Sequence, residues 1–130
     1  MEDLQKKAID TIRSGGVILY RSEIGWGLGC DPSNPVAIRK LYEISGHEKA
    51  DSSILLVDVP EKIQPYLEEI PDIAWELMEV SDKPITLLLS NPKNIAPNLI
   101  RKDQTIAFLV TADSATKNLI YRLRKPLVLS

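Results

Sequence analysis

The chain has 130 residues, 16 Lys and Arg against 18 Asp and Glu, a net charge of −2 and a pI near 5.4. That is the length of one domain, and the near-neutral balance argues against a general polyanion binder while leaving room for a local basic pocket. A hydrophobic content of 44% with 26% charged residues excludes a disordered chain, and no apolar run approaches the ~20 residues of a membrane-spanning helix.

Residues 1–7 lack the apolar core of a secretory signal. Leu4, Ala8, Ile9 and Ile12 share one helical face, and Gly15-Gly16 ends that helix. Residues 17–20 read as a buried strand, and residues 24–30 as a second extended segment opened by alternating glycines. Its last residue, Cys30, is the single cysteine and has no internal disulfide partner, so a reducing, cytoplasmic compartment is expected. After the Asp31-Pro32-Ser33 turn, Asn34 is a helix N-cap with Pro35 at the first helical position, and Ile38, Leu41 and Tyr42 form the apolar stripe. Residues 45–52 are loop-like, and residues 54–57 form the next strand.

Ile63, Tyr66, Leu67 and Ile70 recur at helical spacing, with Pro65 splitting or kinking the helix. A further helix after Pro71-Asp72 carries Ile73, Leu77 and Val80 on one face, with Trp75 as a packing residue. Residues 85–89 are continuously apolar and read as a central strand, residues 91–98 as a loop, and residues 106–110 as another strand. Asp113 or Ser114 caps a helix through Leu119, Ile120 and Leu123, and residues 127–129 form a last strand. Alternation of strands with helices predicts an α/β fold. The chain stops at Ser130, inside an apolar strand, so residues 1–130 are expected to form a single domain truncated at its C-terminal end.

The most informative stretch is residues 20–32, YRSEIGWGLGCDP. Glycine at positions 25, 27 and 29 strips one face of a strand, so that a ligand or another strand can approach the backbone; spacing alone does not choose between them. It is not the G-x-G-x-x-G dinucleotide fingerprint, and the chain contains no P-loop. The stretch resembles the YrdC-like family of threonylcarbamoyl-adenylate synthases. That family's hallmark reads Tyr-Pro-Thr-[Asp/Glu]-x-x-aromatic-Gly-aliphatic-Gly-Cys-Asp. Tyr20, Glu23, Trp26, Gly27, Leu28, Gly29, Cys30 and Asp31 fit it, with Pro32 following as expected. Residues 39–44 (RKLYEI), 54–57 (ILLV), 83–88 (KPITLL) and 125–128 (KPLV) are similar to later family segments in the same order. The resemblance therefore spans residues 9–130.

The resemblance implies a twisted, mixed sheet with helices on its faces, enclosing a positively charged cavity. It implies a reaction that joins L-threonine, bicarbonate and ATP, with Mg²⁺, into threonylcarbamoyl-AMP. The product serves threonylcarbamoyladenosine formation in tRNA, with tRNA or double-stranded RNA as a further partner and no membrane. Two anions meet in such a reaction, so Lys and Arg must neutralise charge while pyrophosphate leaves. No covalent nucleophile is needed, and Cys30 is read as a small buried residue rather than a catalytic thiol. Carried onto this chain, the cavity is lined by Arg21, Ser22, Glu23, Trp26 and Gly27 on one side and by Ser45, His47 and Ser53 on the other. Ser22 would meet threonine or its carbamate, and the Ser45/His47 loop the ATP phosphates. No residue is assigned as catalytic and none as a metal ligand.

The departures concentrate at ligand positions. The family's Pro-Thr is Arg21-Ser22; its Lys-x-Arg falls on Ser45-Gly46-His47; a following Lys falls on Asp51; and a later Arg falls on Leu109. Each cationic contact to phosphate is worth ~1.5–3 kcal/mol, so losing several would weaken nucleotide binding by orders of magnitude. Two readings follow: a synthase relative, or a non-catalytic module that keeps the fold to bind RNA or a protein. His47, the single histidine, is either a solvated loop residue or a stand-in for the missing arginine. Trp26 is either a cavity wall or core. Lys117, Arg122, Arg124 and Lys125 are either cations favoured at a helix C-terminus or an RNA contact.

Overall fold

Two short apolar runs set the centre of the sheet: ILLV in β3 (Ile54–Val57) and TIAFLV in β5 (Thr105–Val110). Such runs suit strands covered on both faces. The computed structural model describes residues 2–46 and 50–130. In chain order the remaining elements are α1 (Glu2–Arg13), β1 (Ile18–Ser22), β2 (Gly25–Cys30), α2 (Pro35–Ser45), α3 (Asp72–Val80), β4 (Thr86–Ser90), α4 (Ser114–Leu123) and β6 (Leu127–Leu129). Six strands form one sheet in the order β1-β2-β6-β3-β5-β4. Only β3 and β5 run parallel; the other neighbouring pairs are antiparallel. The expected mixed sheet with helices on its faces is thus present.

Period-two alternation divides the core between the two faces. Leu56, Leu109, Leu127 and Leu129 meet Ile9 and Ile12 of α1 and Leu119, Ile120 and Leu123 of α4. On the opposite face Leu55, Val57, Phe108 and Val128 meet Ala37, Ile38 and Leu41 of α2 together with Ile63 and Leu67. Cys30 lies in this second core, fully buried.

Local chemistry sets the helix ends. Asn34 Oδ1 accepts from the Val36 and Ala37 N–H groups at 3.0 and 3.2 Å, and Pro35 opens α2 without needing a donor. Gly46 closes α2 at φ 76°, its N–H donating to Tyr42 O. Asp113 caps α4 through Oδ2, which accepts from Thr116 N at 2.9 Å.

Three expectations change. Residues 60–66 form a 3₁₀ helix rather than an α-helix, because Pro60 and Pro65 supply no backbone donors and Pro65 blocks an α-turn. β4 is an edge strand rather than a central one: it pairs with β5 alone, and Leu88 is exposed. In α3, Ile73, Leu77 and Val80 face outward, while Ala74 and Met78 pack on the core and Trp75 is half-buried. No helix among the described residues is long and apolar enough to cross a membrane.

Candidate functional site

The β1–β2 hairpin carries the residues singled out by the glycine-rich stretch. Its register pairs Arg21 with Trp26, Tyr20 with Gly27 and Ser22 with Gly25. Arg21, Trp26 and Leu19 therefore share one face, and all three are exposed; Trp26 is 68% accessible. Trp26 is consequently neither core nor the wall of an enclosed cavity. The glycines face the other way, and that face is closed. A Cβ on Gly27 would lie 2.9 Å from Leu129 Cγ and 3.0 Å from Ser130 O. On Gly29 it would meet Leu127 Cδ1 and Ile18 Cγ1 at 3.2 and 3.3 Å. Close packing by a neighbouring strand and by Ile18 explains these two glycines. Gly25, at φ 111° in the turn, has open space around its Cα.

Ser22 and Glu23 are tied into the fold. Ser22 is buried, and its Oγ accepts from Ile24 N at 3.1 Å, which shapes the turn. The Glu23 carboxylate accepts from the Thr111 hydroxyl and from Ala112 N, the latter at 3.1 Å to Oε1. Thr111 Oγ1 in turn accepts from Asp113 N at 3.1 Å, and Thr116 Oγ1 donates to Asp113 Oδ2 at 2.6 Å. With its proton so used, Thr116 accepts from the Tyr20 hydroxyl at 2.8 Å. Burial pushes the Tyr20 hydroxyl pKa up, against the opposing effect of the Thr116 bond. One polar chain thus fastens the hairpin to the junction between β5 and α4. Thr111 was not visible as part of it, because its partner is 88 positions away in sequence.

The second half of the predicted site lies two strands away. Ser130 pairs with Leu28 by reciprocal backbone bonds of 2.8 and 2.9 Å, and Ser52 Oγ is 3.1 Å from Ser130 Oγ. At ~4.8 Å per strand, the loop before β3 sits about 10 Å from β2. Ser53 is buried, with its Oγ 3.4 Å from the Tyr42 hydroxyl, which donates to Asn98 O at 3.0 Å. Ser45 ends α2 with its Oγ donating to Tyr42 O at 3.1 Å. His47 lies outside the described residues. Leu109, at the position of a family arginine, is buried in the apolar core beneath α4.

Beside α2 is an open cleft of about 660 Å³, lined among others by Arg39, Tyr42, Asp51, Asn98, Arg101 and Lys102. Arg101 Nη1 is 3.8 Å from Asp51 Oδ1. Sequence reasoning did not single out Arg39, Asn98, Arg101 or Lys102. Ser53 reaches this cleft through Tyr42, whereas Arg21, Ser22, Glu23, Trp26 and Gly27 do not line it. A smaller cleft of about 180 Å³ lies at the other end of β5, beside Thr111 and Lys117.

Other charged groups have structural partners. Asp31 Oδ2 accepts from Lys125 Nζ at 2.9 Å, and its Oδ1 accepts from Ser33 N and Oγ at 2.8 and 2.7 Å. Burial raises the Asp31 pKa, but the bonds from Ser33 and Lys125 outweigh it and hold the carboxyl below its ordinary value. Arg122 Nη1 donates to Gln5 Oε1 at 2.7 Å, and Arg13 donates to Arg122 O at the end of α4. Arg122 and Lys125, half of the basic cluster, are therefore engaged within the chain. Burial, reinforced by Asp31, pushes the Cys30 thiol up to about 12, which makes it inert as a nucleophile near neutral pH.

Comparison with known proteins agrees with this fold. The family model for Sua5/YciO/YrdC proteins, described as telomere recombination, matches residues 10–130. A threonylcarbamoyl-AMP synthase of Photobacterium profundum is 29% identical over 130 residues, covering 98% of this chain and 70% of the relative. The structure of P. abyssi Sua5 complexed with L-threonine superposes with a TM-score of 0.90 at 22% identity, over 100% of this chain and 38% of that one. E. coli YciO superposes with a TM-score of 0.85 at 23% identity, over 100% of this chain and 64% of that one. The chain thus spans well under two thirds of the Sua5 chain that it matches in fold. It belongs to the Sua5/YciO/YrdC family.

Proposed function

We propose that this domain carries threonylcarbamoyl-AMP synthase chemistry. The threonine amine displaces water from bicarbonate to form a carbamate; a carbamate oxygen attacks the α-phosphorus of ATP, the α–β phosphoanhydride bond breaks, and pyrophosphate leaves. The product would serve threonylcarbamoyladenosine formation in tRNA. The observation that supports this reading most is the match over residues 10–130, together with a relative of that name aligned over 98% of the chain. In this reading Ser22 contributes its hydroxyl proton to a substrate carboxylate, since its Oγ lone pair serves Ile24 N. The described residues gather no group of three His, Cys, Asp or Glu ligands, so Mg²⁺ would enter on the ATP phosphates and keep their oxygens and water as ligands.

The test is a pyrophosphate-release assay on the purified chain with MgATP and bicarbonate. Threonine-dependent release is expected; release no greater than with ATP alone would contradict the reading. A second reading, a non-catalytic module for RNA or a protein, is favoured by one specific observation. Leu109 stands in the apolar core where the family resemblance calls for an arginine. No threonine-dependent release in that assay, together with binding of RNA or a protein partner by the same chain, would select it.

A further inference from the structure

α3 and α4 lie on opposite faces of the sheet. α3 packs through Ala74 and Met78 on the core that holds Val57 and Phe108, and α4 packs through Leu119, Ile120 and Leu123 on the core that holds Leu56 and Leu109. Their outward stripes differ in sign. On α3, Asp72, Glu76 and Glu79 recur at i, i+4 and i+7, each one position before the exposed Ile73, Leu77 and Val80. An apolar row rimmed by polar groups is the usual form of a contact surface. Residues 68–82 hold Glu68, Glu69, Asp72, Glu76, Glu79 and Asp82, all exposed, and no Lys or Arg. None of these six carboxylates has an ion-pair partner among the described residues.

On α4, Lys117 and Tyr121 are exposed, and Arg124 at the C-cap completes the same i, i+4, i+7 spacing. Lys117 and Arg124 have no carboxylate partner among the described residues. The Tyr121 ring is 67% exposed, and Lys62 Nζ lies 5.3 Å from its centroid. At ~1.5 Å per residue, each stripe runs about 10 Å, so the two match in length. Outside residues 68–82 the chain carries 16 basic against 12 acidic residues, so the rest of a second copy is net cationic. Pairing α3 with α3 is opposed, because it sets carboxylate against carboxylate.

We propose that α3 of one copy docks on α4 of a second copy. Asp72, Glu76 and Glu79 meet Lys117 and Arg124, while Leu77 packs on the Tyr121 ring and on the alkyl stems of those cations. Because the stripes lie on opposite faces of the sheet, one neighbour cannot engage both. The contact is therefore heterologous: it leaves an unused α3 at one end and an unused α4 at the other, and builds open rows of copies rather than a closed dimer. Helices of 9 and 10 residues bury less than the ~1,200 Å² of a stable interface, so assembly is weak and concentration-dependent. It does not depend on the reaction proposed above.

The test is sedimentation velocity of the purified chain over a range of concentrations. Wild type should grow from single chains of 14.5 kDa to dimers and longer species as concentration rises. Salt at ~1 M, with a Debye length of ~3 Å, should reverse that growth. Glu76→Lys with Glu79→Lys should abolish it, and so should Lys117→Ala with Tyr121→Ala. All four positions are exposed, and an unchanged Tm marks each double variant as folded. Each double variant keeps one intact stripe, so a mixture of the two should form pairs and stop there. Wild type that stays monomeric at millimolar concentration, or growth that survives either double substitution, would overturn the proposal. So would a mixture that stays monomeric or grows past two chains.

Discussion

At Gly27 and Gly29 the backbone is bare yet covered; around Arg101 long side chains border an open cleft. The absence of side chains did not make the first region a binding groove. Leu127, Leu129 and Ile18 occupy the room the glycines leave, and β6 lies against β2 because of it. The cleft is open for a different reason: α2 and the loop before β5 meet through Tyr42 and Asn98 and leave charged groups around the gap. Small residues mark close approach, and only the packed structure tells whether another strand or a ligand is what approaches.

The sharpest way to break this contrast is to empty the covered side. Leu129→Ala should destabilise the fold by ~2–5 kcal/mol in chemical denaturation, as for a buried leucine whose cavity cannot fully collapse. A loss below ~1 kcal/mol would mean that the leucine does not fill the glycine face. Overfilling the same space is the next largest effect. Gly27→Ala places a methyl group 2.9 Å from Leu129 Cγ and 3.0 Å from a carbonyl oxygen, and should cost ~1–3 kcal/mol.

A smaller effect comes from Asp31, which joins the end of β2 to the connection between α4 and β6 through Lys125. Its folded pKa lies below the ordinary value of 3.8, so the folded state binds its proton more weakly than the unfolded state. The stabilisation is present above pH 3.8 and is lost as pH falls through the lower folded value. Asp31→Asn should therefore show a flatter acid limb than the wild type in pH-dependent thermal melts; parallel acid limbs would contradict it. The smallest effect belongs to the open side. Arg39→Gln and Lys102→Gln should change stability by no more than about 0.5 kcal/mol, as exposed substitutions without packing partners do. A larger loss would make these cations structural.

Much of the fold was legible because local chemistry dictates it. Asn34-Pro35 announces α2, Gly46 closes it, and the unbroken apolar runs of β3 and β5 point to strands buried on both faces. Periodicity showed that Ile73, Leu77 and Val80 share a face but carried no information on whether anything covers it; the face is exposed. In the same way the apolar residues of β4 suggested a central strand, although strand order is a long-range property and β4 lies at the edge. The candidate site was half legible. Ser22 and Glu23 were singled out, yet Ser22 shapes the turn and Glu23 serves Thr111 and Ala112 in the fold. Arg101 and Asn98 escaped notice because their setting arises only when the loop before β5 folds against α2, through contacts such as Asn98 with Pro35.

A crystal structure of the chain grown with a non-hydrolysable ATP analogue tests the central contrast most directly. The expected result leaves Leu127 and Leu129 seated against Gly29 and Gly27, with the analogue away from them. An analogue lying on those two glycines, with the leucines displaced, would contradict it.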